Sequence, residues 1–181
     1  ADVTSRLTGV PGICHGTFGP GATNLATGVG CGLLDRSAVI AMTSEVPDAM
    51  MQRTTQMRID QQALFEPITK QTLRLNPVHP AQTLFKAIEL SVSGIPGPVH
   101  IGVPSDIGDV PCVDEIVTTS LIPAKPGAAS AESIAEVSRA LSESKRPLLA
   151  VGLTAAREGL VVEVTALADA TGGAVVLTPM A

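Results

Sequence analysis

The chain has 181 residues, 45% of them hydrophobic, with a formal net charge of −5 and no block of basic residues, which argues against a nucleic-acid surface. Its three cysteines, Cys14, Cys31 and Cys112, are scattered and odd in number, so they form neither a disulfide framework nor a CxxC zinc pair and read as free thiols. No apolar run reaches the ~18 residues of a membrane span and no signal-peptide pattern is visible, so the expectation is a cytoplasmic protein without membrane contact.

Aromatic residues are nearly absent: Phe18, Phe65 and Phe85 are the whole set. A core of Ala, Val, Ile and Leu suits a buried parallel sheet flanked by helices. In chain order, residues 1–7 read as the last turns of a helix ended near Gly9, and residues 13–17 as a short strand. A glycine turn, Gly16-Thr17-Phe18-Gly19-Pro20-Gly21, then feeds a helix over 21–34 that is rich in small residues. Glycines allow positive φ and close approach of a ligand, and Pro20 pre-sets φ at the helix start. The free N–H groups of that helix would face the top of the strand, a favourable place for polar or anionic groups. The same tripeptide also serves as a plain tight turn. The small residues Ala22, Ala26, Gly28, Gly30 and Gly32 imply close packing of this helix, against its own sheet or against a second subunit. Gly28-Val-Gly-Cys-Gly32 has the wrong spacing for a dinucleotide fingerprint and follows no strand.

Residues 38–42 predict a buried strand bounded by Thr43-Ser44-Glu45, and 48–62 a polar, Met-rich loop with a short helix. Residues 64–68 lead to Lys70, which reads as a salt-bridge partner or a solvated strand end. His79-Pro80 opens an amphipathic helix with Leu84, Phe85, Ile88 and Val92 inward, closed at Gly94. Residues 99–103 predict another buried strand, with Pro104-Ser105-Asp106 at its end. Buried strands alternating with helices predict an α/β fold with a parallel sheet. From 111 to 130 the composition turns rich in Pro, Gly, Ala and Ser, and a linker is placed at 123–130. Beyond it, a helix over 131–141 with Ile134, Val137 and Leu141 inward, a strand over 147–151, a helix over 159–170 with Leu160, Val161, Val164, Leu167 and Ala168 inward, and a strand over 174–177 make a partial second α/β domain. Two strands make a poor independent core, so a chain truncated at both ends is the expectation.

Of the titratable residues, His15 sits at a strand end beside the glycine turn, where it either lines a site or is a satisfied polar residue at a sheet edge. His79 reads as a surface residue, His100 as a buried hydrogen-bonding group and Asp106 as a turn residue. No nucleophile–base set can be assembled from spacing. Residues alone point to a site at the C-terminal ends of parallel strands, around 16–24.

Four ordered stretches go further: GTFGPGATNLATGV at 16–29, DRSAVIAMTSE at 35–45, TQMRIDQQALFEPITK at 55–70 and GIPGPVHIGVPSDI at 94–107. Together they resemble the thiamine-diphosphate-dependent enzymes of the acetolactate synthase type, through the domain that holds the cofactor's aminopyrimidine ring. A weaker likeness continues to the C-terminus. The resemblance implies that residues 1–122 are that pyrimidine-binding domain, N-terminally truncated, and that 131–181 begin a central α/β domain. It implies a cofactor-binding role for Gly19, Pro20, Gly21 and Asn24, and a substrate-facing role for Gln56, Thr55 and His15. The family's catalytic glutamate, which contacts N1′ of the aminopyrimidine, falls ahead of Ala1, so this chain holds no catalytic residue of that kind and is expected to be inactive alone. The magnesium and diphosphate anchor belongs to a later domain, so no metal ligand is expected here.

Three positions depart from the pattern. The family's Phe before Gln56 is Thr55; an arginine that contacts FAD is Ile95; a lysine at the substrate channel is Ser105. The last two count against FAD. The resemblance therefore implies thiamine diphosphate with magnesium, a small 2-oxo acid or acyl substrate, a carboligase, decarboxylase or acyltransferase activity in the whole enzyme, and a homodimer or homotetramer with its site between subunits. A non-catalytic scaffolding relative is the alternative, and a dinucleotide-binding α/β protein a weaker one.

Overall fold

A computed structural model describes residues 1–113 and 127–179. The chain divides into two units, residues 1–125 and 126–181. The end of the first expected domain at 122 and the first part of the expected linker, 123–126, lie outside the described residues.

The first unit is a parallel four-stranded sheet in the order β1-β2-β4-β3. Helix α1 (Asp2–Thr8) stops at Gly9, whose φ of 70° gives a left-handed cap. Strand β1 (Gly12–Gly16) runs into the glycine turn, and α2 (Pro20–Leu34) starts with Pro20 in its first turn. Gly28 to Gly32 therefore lie inside α2, not in a turn. Strand β2 (Val39–Glu45) extends through the polar residues that the sequence reading placed after it. A loop leads to α3 (Gln61–Phe65), capped by the Asp60 carboxylate, which accepts from the Ala63 amide at 2.9 Å. Strand β3 (Gln71–Arg74) was not expected. It is a short edge strand whose outer residues, Gln71 and Arg74, are exposed, so it lacks the apolar run that marks a buried strand. Helix α4 (Pro80–Val92) and strand β4 (Val99–Pro104) complete the unit, with Gly94 left-handed at φ 58° just past the helix.

Side chains alternate across β2 and β4, so each strand feeds two cores. Ala41 joins Ala22, Val29 and Phe65 on the face covered by α2 and α3. Ile40, Val99 and Ile101 join Ala87 on the face covered by α4. Lys70 has no ion pair among the described residues and is not merely solvated: its Nζ donates to the Leu90 and Ser93 carbonyls at 2.5 and 2.6 Å, satisfying the C-terminal end of α4.

The second unit contains α5 (Ala131–Glu143), β5 (Leu148–Val151), α6 (Leu153–Arg157), α7 (Val161–Thr171) and β6 (Ala174–Leu177). Strands β5 and β6 pair in parallel. The short α6 was not expected. Several side chains expected inward are exposed, among them Ile134 (54%), Val137 (59%), Val161 (71%) and Leu167 (42%). A two-stranded sheet offers too little surface to cover both helices.

Phe65 is wholly buried in the first core and stacks on His100 with ring centroids 4.2 Å apart. Phe65→Ala is expected to lower stability by about 3–5 kcal/mol, read as a lower urea midpoint. An unchanged midpoint would show that this face is not a tightly packed core.

Candidate functional site

The C-terminal ends of parallel strands collect the polar groups of the first unit, as open α/β sheets do. On the α2/α3 face, β2 contributes Ala41, then Thr43, then Glu45, and β4 contributes His100, then Gly102. The face thus passes from apolar to polar towards one end of the sheet. There the β1–α2 turn, the loop after β2 and the start of α3 enclose a cavity of about 470 Å³. Phe18, Met51, Met57 and Ile59 give it apolar walls; Glu45, Arg58, Gln61, Gln62 and Arg74 give it polar ones.

The turn itself is tightly specified. Gly19 has φ 64° and ψ −115°, a conformation closed to residues with a side chain. A Cβ there would lie 2.3 Å from the Met57 carbonyl oxygen. The Gly19 amide donates to Gln61 Oε1 at 3.1 Å, and Gln61 Nε2 donates to Thr43 Oγ1 and the Ser44 carbonyl, both at 2.8 Å. Thr43 Oγ1 in turn meets His100 Nε2 at 2.8 Å. The N-cap residue of α2 makes no side-chain bond; the Gly19 amide goes to Gln61, Pro20 has no N–H, and the Thr23 amide donates to the Gly19 carbonyl at 3.0 Å.

Pro20 and Asn24 are exposed and one helical turn apart on α2, so they share a face beside that turn. Gly19 is buried and Gly21 half-buried within it. The structure therefore brings the four expected cofactor-facing residues together. His15 is exposed at the end of β1, with Nε2 3.2 Å from Ser44 Oγ. Thr55 and Gln56 are exposed in the loop after β2 and do not line the cavity; the next residue, Met57, does, and it has a positive φ of 58°.

Gln61 escaped the sequence reading, and Glu45, a candidate for acid–base work on residue type alone, has partners that spacing did not show. Gln61 looked like one of several glutamines in a polar segment, yet it is 4% exposed and ties three elements together. Its only local signal is its position directly after the Asp60 cap. Glu45 was read as a strand-bounding polar residue, yet its carboxylate crosses over Gly102 on β4, accepts from Gln62 Nε2 at 2.7 Å and pairs with Arg74 Nε on β3 at 2.9 Å. Arg74 also pairs with Asp48 at 2.8 Å; these carboxylates, Asp48 foremost, raise the Arg74 pKa, while Arg74 lowers that of Asp48.

The chain is also similar in sequence to known proteins. Residues 1–64 match the family described as thiamine pyrophosphate enzyme, N-terminal TPP binding domain. A probable acetolactate synthase large subunit of Methanocaldococcus jannaschii is 37% identical over 162 residues, covering 84% of this chain and 27% of that protein. Acetolactate synthase of Arthrospira platensis is 33% identical over 181 residues, 93% of this chain and 30% of its own length. The large subunit of acetolactate synthase isozyme 1 of Escherichia coli strain K12 is 33% identical over 151 residues, 82% of this chain and 26% of its own. The chain thus spans under a third of the length of these relatives. The class to which residues 1–64 are similar is the N-terminal domain of the thiamine diphosphate-dependent enzymes. Over most of its length the chain is acetolactate synthase-like. No helix among the described residues is long and apolar enough to cross a membrane.

Burial pushes the His100 pKa down to about 4, against an ordinary 6.5. Between those values the unfolded chain binds the proton and the folded one does not. Stability is therefore highest above pH 6.5 and falls as the pH drops towards 4, with His100 contributing on the order of 3 kcal/mol. Urea unfolding between pH 7 and 4 checks this: His100→Phe should flatten the slope across that window, and an unchanged slope would assign it to the carboxylates.

Proposed function

We propose that residues 1–122 form the aminopyrimidine-facing domain of a thiamine-diphosphate-dependent enzyme that makes or cleaves C–C bonds of 2-oxo acids, and that 131–181 begin its central α/β domain. The observation that carries this reading is the Gly19-Pro20-Gly21 turn at the C-terminal end of β1, with Asn24 on the same exposed helix face.

The residues present fit the cofactor's ring. Gly19 lets the turn lie flat against Met57 where a Cβ would not fit. Pro20 offers an apolar wall, and the Asn24 carboxamide offers one acceptor and two donors for an amino-substituted heterocycle. When bound, thiamine diphosphate supplies the electron sink for chemistry at a carbonyl carbon. This chain's share is to bind and orient the ring and to wall off water with Phe18, Met51 and Met57. Thr55, Gln56 and His15 lie near the reacting substrate in this reading. The glutamate that handles the ring proton would come from polypeptide ahead of Ala1, and the magnesium and diphosphate anchor from a later domain. Among the described residues no group of three or more His, Cys, Asp or Glu could hold a metal ion.

Pro20 and Asn24 stand on an open surface, which supports a site completed by a second subunit, in a homodimer or homotetramer. Ile95 and Ser105, both exposed, support an enzyme without FAD. Three unpaired cysteines support a reducing compartment, the cytoplasm.

The test uses the complete polypeptide that carries this chain. Pyruvate consumption is expected to require added thiamine diphosphate and magnesium after dialysis. Asn24→Ala is expected to weaken cofactor affinity roughly tenfold while leaving the unfolding midpoint within error. Turnover that ignores thiamine diphosphate, or wild-type affinity in Asn24→Ala, would overturn the reading.

A further inference from the structure

The carboxamide of Gln61 is almost wholly enclosed, and both its oxygen and its nitrogen are committed. Its oxygen receives the Gly19 N–H, and its nitrogen serves Thr43 Oγ1 and the Ser44 carbonyl. The reverse orientation would set an amino group against the Gly19 amide and an oxygen against the Ser44 carbonyl, so the partners fix which way the amide points. Nothing intrinsic to glycine selects φ 64° and ψ −115° from its wide range of conformations. Two outside groups select it: Gln61 Oε1, which fixes the direction of the Gly19 N–H, and the Met57 backbone, which occupies the space a Cβ would need.

The same side chain reaches a second group. Thr43 Oγ1 accepts one Gln61 proton, so its own hydroxyl proton is free to go to His100 Nε2. That leaves the imidazole proton on Nδ1, which is buried and has no hydrogen-bond partner among the described residues. The other tautomer would strand both the Thr43 hydroxyl proton and the Nδ1 lone pair. One orphaned group is less costly than two.

We propose that Gln61 is the positioning residue of the Gly19-Pro20-Gly21 turn, and that through Thr43 it also fixes the neutral His100 as the Nδ1–H tautomer. As a statement about cofactor binding this rests on the function proposed above; as a statement about the turn it stands alone. Gln61 does not touch the exposed face of Pro20 and Asn24. It acts by holding the backbone that presents them. The coupling runs from a loop amide, through one side chain of α3 and one of β2, to a ring on β4.

The experiment is nuclear magnetic resonance on the isotope-labelled 181-residue chain without cofactor. In the unsubstituted protein the ring nitrogens are expected to show Nδ1 protonated and Nε2 bare, and the Gly19 amide is expected to exchange slowly. Gln61→Leu should speed Gly19 exchange roughly tenfold while the amides of Val99 and Ile101 keep theirs. Thr43→Val leaves the Gly19 contact intact, so it should preserve Gly19 protection and move the His100 ring signals; it serves in place of Gln61→Leu should that variant fail to fold. An Nε2–H tautomer in the unsubstituted protein, unchanged Gly19 exchange in Gln61→Leu, or unmoved His100 signals in Thr43→Val would overturn the proposal. All of these readings are made without thiamine diphosphate. A protected Gly19 in a complete enzyme that ignores the cofactor would instead sink the functional reading and leave the role of Gln61 in place.

Discussion

A carboxamide closed away from water must find partners for its oxygen and its nitrogen, and at Gln61 those partners lie in the β1–α2 turn and at the end of β2. This requirement settles more of the first unit than any apolar contact does. Hydrophobic burial holds α2 and α3 on the sheet, but burial is non-directional and would tolerate a turn shifted by an ångström. Hydrogen bonds at 2.8 and 3.1 Å do not tolerate such a shift. The apolar core thus gives adhesion, and the polar strip at the strand ends gives position. Phe65 belongs to both, since it fills the core and stacks on the ring that ends the polar chain.

That division explains what could be read from the sequence. The buried strands were legible because 39–42 is a continuous apolar run and 99–103 sets Val99, Ile101 and Val103 at alternate positions, and α4 because its apolar residues recur at helical spacing behind Pro80. The turn was legible because Gly and Pro carry their backbone meaning with them. Strand β3 was not, because an exposed four-residue edge strand needs no apolar signature. The polar end of β2 was hidden for a related reason: Thr43, Ser44 and Glu45 look like a loop until their partners from α3 and β3 are in place.

The candidate site was legible only where it is local. Gly19, Pro20, Gly21 and Asn24 are neighbours in sequence and share the turn and the start of α2, outside the lining of the cavity. Gln61 lies 42 residues from Gly19, and no periodicity links them. Its role exists only after the fold has formed. The faces of α5 and α7 show the opposite limit. Their apolar residues were read correctly as apolar, but the described part of the second unit has too little sheet to bury them.

The carboxylate of Glu45 leans across Gly102 to reach Arg74, bridging two strands that are not neighbours. A Cβ at position 102 would sit 1.9 Å from Glu45 Oε1. A side chain at residue 102 therefore displaces the end of the Glu45 side chain, and with it the contacts to Gln62 and Arg74. The two positions are coupled through that carboxylate, so substitutions at 45 and 102 are expected to be non-additive.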